Sequence, residues 1–424
     1  MKMLKTIRLF YLFYSIYTIL VMLVSDYAFF DAFFGILSIW IVYLVFSMGF
    51  QRAAIITRRL PQPNSVKFFF SNIANWKSTK YVFSLDACVA CSVLATKYYT
   101  GKNFIQVITS LTSTSSNYNE YQQYFRNMNI SVFSLAKIPY ILMLTFLTAM
   151  LFWGIIGITL SGKKIRFVQW IFLAGVCVSY LYFGIARGTN FEMYIVFVLV
   201  VFCLLNRTSV QDKDRASNRI NKKAIIIVLI IGVAFVLIFR IVVQARGIEY
   251  RNIICTEITY DSDKIFSEMF PTLTNILLSV FSYLGFGIFA IGRSFMNMLD
   301  SVLEVFASLL PGGFQLFFGA SFSDIVRERI NVGVRWIPDY IRFVNLFGVP
   351  IFLLFVFALG KYMAKKCCYS ENNLLSNLLG FIIFMEMLSI PVGNFILNST
   401  ANELVIVGIL LWEIKTTVSG GQRR

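Results

Sequence analysis

The chain alternates between long apolar runs and short polar segments, and nothing else restricts its fold so tightly. Leu9 to Val24, Pro139 to Leu160, Phe167 to Ile185, Ala224 to Phe239 and Phe343 to Leu359 contain no charged residue at all. Runs of this length match the hydrocarbon thickness of a bilayer when coiled as α-helices. Lipid offers no hydrogen bonds to a bare backbone, so a spanning segment must close its own, which leaves helices and closed barrels. Uninterrupted apolar runs, without alternation of polar and apolar residues, select the helix. Composition agrees: of 424 residues 58% are hydrophobic and only 14% charged, too few polar groups to coat a water-soluble globule.

Further runs at Ala28 to Phe46, Tyr81 to Thr96, Phe191 to Leu205, Leu374 to Ile390 and Leu404 to Ile414 bring the expectation to about ten spans. The fold class read here is all-α, a polytopic transmembrane helical protein, with residues 1–424 forming a single transmembrane domain. The basic residues Lys2, Lys5 and Arg8 precede the first run, and no small-residue cleavage site follows it, so the first two runs read as a helical hairpin. Arg52, Arg58, Arg59, Lys67, Lys77 and Lys80 mark the next segment as cytoplasmic. So do Lys163, Lys164 and Arg166, the cluster from Arg207 to Lys223, and Lys361, Lys365 and Lys366. Both termini then fall in the cytoplasm. Residues 240–342 form a large external loop in which Leu273 to Ile291 and Leu303 to Phe318 are apolar. Asp300, Glu304 and the Pro311-Gly312-Gly313 break favour amphipathic or re-entrant helices there over two full spans.

Several chemistries are excluded. Histidine is absent, which removes a His general base, a Ser-His-Asp triad and any His-ligated metal. Of the seven cysteines, Cys88 and Cys91 are spaced as a CxxC, yet they lie inside an apolar run where Cys acts as a small hydrophobe. The net charge of +17 follows from basic inner loops, and no nucleic-acid motif accompanies it. No metal, nucleotide or other cofactor is implied.

The external side breaks the charge rule, and does so mostly with arginine: Arg126, Arg187, Arg240, Arg246, Arg251, Arg293, Arg327, Arg329, Arg335 and Arg342. A guanidinium is a planar fork of donors suited to phosphate and keeps its charge when partly desolvated. A set near the outer leaflet therefore suits a lipid-linked diphosphate. The plainer reading is that these arginines pair with Glu249, Glu257, Asp324, Glu328 or Asp339, or reach to lipid headgroups. Arg187 is the sharpest case, in a tight turn with Gly188 and Asn190 and with Glu192 close by. Arg246-Gly247, and Arg335 ahead of Trp336-Ile337-Pro338-Asp339-Tyr340, come next. Tyr118, Tyr121, Tyr124, Tyr250, Tyr260, Trp336 and Tyr340 could serve as sugar platforms or as an interfacial aromatic belt.

The pattern resembles the bacterial O-antigen polymerases, which join oligosaccharide repeat units in surface polysaccharide assembly. The resemblance rests on Gly184-Ile185-Ala186-Arg187-Gly188-Thr189-Asn190 opening an apolar span, on Arg246-Gly247 at the end of the next, on the long external loop to Leu310-Pro311-Gly312, and on Gly348 to Pro350. Paired Arg-x(10)-Gly motifs of some members have no counterpart here. The resemblance implies a fold of the GT-C type in the bacterial cytoplasmic membrane. It also implies transfer of a growing glycan from undecaprenyl diphosphate to another lipid-linked repeat unit. Arg187, Arg240, Arg246, Arg251 and Arg335 would bind the diphosphate, with Arg187, Arg246 and Arg335 stabilising its developing charge. Asp339 or Glu192 would accept the proton of the attacking hydroxyl. The partners implied are the lipid-linked oligosaccharide, the bilayer and a chain-length-determinant membrane protein. The rival readings are a flippase of the same lipid-linked glycan and an O-antigen ligase, a family whose external loop typically holds the His that is missing here.

Overall fold

A computed structural model describes residues 2–57, 73–110, 117–130, 132, 134–161, 163–189, 191–211, 261–271, 273–274, 277–278, 285–299, 302–311, 338–369, 374–393 and 399–421. Described residues with regular structure are helical throughout. Among the described residues, six helices are long and apolar enough to cross a membrane: Met3–Met22, Phe29–Ala53, Ser78–Thr100, Leu135–Thr159, Phe167–Arg187 and Asp339–Lys365. Shorter apolar helices lie at Phe191–Asn206, Phe286–Met296 and Leu374–Ser389. The protein is a helical, membrane-embedded protein. The run Ala224 to Phe239 and most of the segment 240–342 lie outside the described residues.

The chain divides into two compact units. The first takes in Met1–Leu60, Glu249–Tyr369 and Ile383–Phe395. Its helices are α1 (Lys2–Met22) and α2 (Phe29–Thr57) from the N-terminal hairpin. Later in the chain α9 (Ile265–Met269), α10 (Phe286–Leu299), α11 (Val302–Leu309) and α12 (Asp339–Tyr369) join them. Helix α1 shows why such sequences fold as they do in lipid. Ile7, Tyr11, Tyr14, Thr18 and Val21 are buried at helical spacing, while Leu9, Leu12, Phe13, Ile16 and Ile19 are exposed on the opposite side. An exposed stripe of large apolar side chains is stable against acyl chains and would be a liability in water.

Helix α2 packs along both α10 and α12, and glycines set how closely. A Cβ at Gly49 would strike the Phe357 carbonyl of α12, and one at Gly360 would strike the Phe46 carbonyl of α2. Gly35 meets Ile288 and Gly292 meets the Asp31 carbonyl in the same way, which brings α10 against the first half of α2. With no hydrophobic drive between helices in lipid, close backbone approach at small residues replaces it with van der Waals contact. Helix α12 is broken at Gly348, whose φ of 73° and ψ of 159° only glycine adopts readily; Pro350 follows two residues on.

The second unit takes in Pro61–Ile248, Ser370–Ile382 and Ile396–Arg424. It holds α3 (Ser78–Thr100), α4 (Phe104–Ser110), α5 (Asn117–Asn127), α6 (Ile138–Thr159), α7 (Phe167–Arg187) and α8 (Phe191–Gln211). It also holds the first half of α13 (Leu374–Ser389) and all of α14 (Thr400–Gly421). Helix α3 packs on α6 and α7, and α6 on α14. Phe152, Phe202 and Phe381 form an aromatic core with ring centroids 5.1 and 5.4 Å apart. One end of the α3–α7 pair is tied by a capping box in which the Arg166 backbone N–H donates to Gln169 Oε1 (2.8 Å). The buried Gln169 amide then donates to Tyr81 Oη (2.9 Å) and to the Ala74 carbonyl (3.0 Å). Cys88 and Cys91 are unpaired on α3, in keeping with their reading as hydrophobes.

Candidate functional site

Helix α7 ends where Gly188 enters the left-handed region at φ 63° and ψ 31°. The Gly188 N–H reaches the Ile185 carbonyl (3.0 Å) and the Thr189 N–H the Gly184 carbonyl (3.0 Å). These two bonds are the glycine stop of a Schellman turn, and they satisfy carbonyls that the helix end would otherwise orphan. The turn reverses the chain within a few residues, so Arg187 in the last turn of α7 faces Glu192 in the first turn of α8.

The Arg187 guanidinium and the Glu192 carboxylate form an ion pair. Arg187 Nη2 also donates to Thr189 Oγ1 at 3.2 Å, and Thr189 Oγ1 donates to Glu192 Oε2 at 2.8 Å. Glu192 is 2% exposed, so its charge is tolerable only because both oxygens have partners and the positive end of α8 lies beside it. Gly184 makes the room. A Cβ there would sit 2.6 Å from Glu192 Oε2, which explains the Gly-x-x-Arg spacing in terms of volume.

Aromatic faces hold the other side of the guanidinium. Arg187 Cζ lies 4.5 Å from the centre of the Phe183 ring and 5.7 Å from that of Tyr121. Tyr121 comes from α5, which packs on both α3 and α7. Its hydroxyl is a hydrogen-bond partner of Arg187, and burial pushes that phenol above its ordinary range against the opposing pull of the guanidinium. Lys102 anchors α5 through an ion pair to Glu120 (2.8 Å), and Tyr124 packs where a Cβ on Gly101 would stand. Two turns earlier on α7, buried Tyr180 lies against Thr148 of α6 and Asn402 of α14. The Nε of Arg187 is buried and has no hydrogen-bond partner. The side chain as a whole is still 20% exposed, and it is over that part that an anion could reach the fixed guanidinium.

The residues expected from the sequence are thus placed unevenly. Arg187 and Glu192 are brought together in the second unit, with Thr189, Phe183 and Tyr121. Asp339 lies in the first unit at the start of α12, 2% exposed. Arg240, Arg246, Arg251 and Arg335 lie outside the described residues, as do Arg327 and Arg329. Arg293 pairs with the buried Asp31 at 3.3 Å, a structural contact of the plainer kind. Sequence reasoning passed over Glu386, which is buried on α13 and interacts electrostatically with Asp339. The signal for it was present: a carboxylate in the middle of an apolar run is costly in lipid and marks a site. Tyr121 was noted only among many tyrosines, because nothing local ties it to a residue 66 positions on in the chain.

No protein-family model matches the chain, and no curated protein or solved structure is significantly similar to it.

Proposed function

We propose that the protein is a membrane glycosyltransferase that polymerises undecaprenyl-diphosphate-linked oligosaccharide repeat units at the outer face of a bacterial cytoplasmic membrane. The reading takes the full set of about ten spans in a GT-C-like arrangement, both termini in the cytoplasm and residues 240–342 outside. The observation that carries it is Arg187: a guanidinium fixed at the end of a membrane span by Glu192, Thr189 and two aromatic rings, with its side chain still 20% exposed.

In this reaction the acceptor hydroxyl oxygen bonds to the anomeric carbon of the donor glycan. The bond from that carbon to the lipid diphosphate breaks, and the diphosphate leaves with the electron pair. Arg187 binds the departing oxygens, and a donor already in place stabilises their growing charge at no reorganisation cost. Arg240, Arg246, Arg251 and Arg335 complete the diphosphate set in this proposal. Both Glu192 oxygens are occupied, so Glu192 positions Arg187, and the hydroxyl proton passes to another carboxylate base. A chain-length-determinant membrane protein would act as partner. The division of the chain into two compact units favours a second reading, a carrier that flips the same lipid-linked glycan.

One experiment separates the two. Cells carrying Arg187→Ala in place of the native chain should lose the polysaccharide ladder on a gel while a single repeat unit still reaches the surface. Immunoblotting confirms that the variant is in the membrane. If cells without the protein lack even the single unit and accumulate lipid-linked units on the inner leaflet, the polymerase reading fails and the carrier reading stands.

A further inference from the structure

The first unit buries two carboxylates that no cation neutralises among the described residues. Asp339 opens α12 and is 2% exposed; Glu386 lies on α13 and is 9% exposed. They belong to different helices, and a backbone bond from the Tyr340 N–H to the Ile390 carbonyl (3.1 Å) ties the start of α12 to the residues that follow α13. The two carboxylates interact electrostatically. A second observation points to a missing occupant. Asp339 Oδ2 and Glu386 Oε1 are both shut off from solvent and neither has a hydrogen-bond partner.

Among the described residues, the surroundings supply no ion pair to either carboxylate. From α1, Tyr11 faces Glu386 but spends its hydroxyl proton on the Met387 carbonyl (2.9 Å), and Tyr14 donates to Leu388 (3.4 Å). From α2, Ser38 is taken up by Tyr340. From α12 itself, Arg342 acts on Asp339 through space while its own side chain is exposed and makes no ion pair with it. Two ionised carboxylates buried together would each carry a desolvation penalty and repel one another. A single positive charge between them removes both costs, and oxygen-only ligands suit either a proton or a hard ion.

We propose that Asp339 and Glu386 form a binding site for one small monovalent cation, a proton or a sodium ion, inside the first unit. The site does not depend on the polymerase reading, and it would make the folded state sensitive to pH or to sodium whatever the protein transfers or carries.

The test uses the full-length protein purified in detergent. Its thermal unfolding midpoint is followed from about pH 5 to about pH 9 with choline as the only salt cation, then with sodium. The sign is fixed: stability that rests on a bound proton is complete at low pH and lost as pH rises. The wild type should lose several degrees toward alkaline pH, and Asp339→Asn/Glu386→Gln should not. Recovery of the wild type alone on adding sodium at high pH identifies sodium as the competent occupant; no recovery identifies the proton. The proposal is overturned if wild type and double variant respond alike to both pH and sodium. Should the double variant fail to fold, difference infrared spectroscopy of the wild type decides. A protonated-carboxyl band must disappear on alkaline titration, or the carboxylate bands must shift on adding sodium, and a spectrum unchanged by either sinks the proposal.

Discussion

At the scale of single residues the site is a problem of charge kept out of water. Breaking a buried ion pair by removing one member is far more damaging than the pair is stabilising, because the survivor keeps its desolvation penalty. Glu192→Ala should therefore destabilise the protein by about 3–5 kcal/mol and Glu192→Gln by nearly as much, since the amide keeps a single accepting oxygen and leaves the guanidinium charge unpaired. Thermal unfolding in detergent reads both losses. A Gln variant as stable as the wild type would mean that the carboxylate charge does not hold Arg187 in place. The local half of this arrangement was legible in the sequence. Arg187, Gly188, Thr189 and Glu192 stand within a few positions of one another, and a glycine-stopped turn leaves them few ways to point. Asp339 and Glu386 were not legible as a pair, because only the packing of α12 and α13 brings together residues so far apart in the chain.

At the scale of elements, hydrophobic run length told most of the story and polar segments told little. The runs at Tyr81 to Thr96 and Phe167 to Ile185 became Ser78–Thr100 and Phe167–Arg187, longer because a helix continues past its apolar stretch until a glycine ends it. Both ends carry such a glycine, Gly101 and Gly188. The segment Lys97 to Ile130 read as merely polar, yet α5 forms within it. Its buried Tyr121 packs at a tilt on Phe125, 5.5 Å between centroids, a contact one helical turn apart that polarity alone does not advertise. The glycine contacts of α2 were equally silent, since a glycine in an apolar run says nothing about which carbonyl it will meet. They can be tested. Gly49→Val pushes a branched side chain into the Phe357 carbonyl, and overpacking of this kind costs about 1–3 kcal/mol. Its unfolding midpoint should fall, whereas Gly408→Val, where a Cβ meets nothing within 4 Å, should leave the midpoint nearly unchanged.

At the scale of the whole molecule the remaining question is direction. Basic loops on one side and arginine on the other give the orientation proposed above, and reporter fusions check it. Green fluorescent protein at the C-terminus should fluoresce, and alkaline phosphatase joined after Gly188 should be active; the opposite pattern would put the Arg187 turn in the cytoplasm and end the polymerase reading. That turn also bears on how the chain is made. Arg187 and Glu192 emerge from the ribosome almost together, at the tip of a hairpin of two apolar helices. An isolated arginine or glutamate at such a tip would resist passage across the bilayer. Joined, the two charges cancel, and the tip can cross as a neutral knot tied before the C-terminal half of the chain has been made. The residue best placed to meet an anion would then also be the one whose partner made its delivery possible.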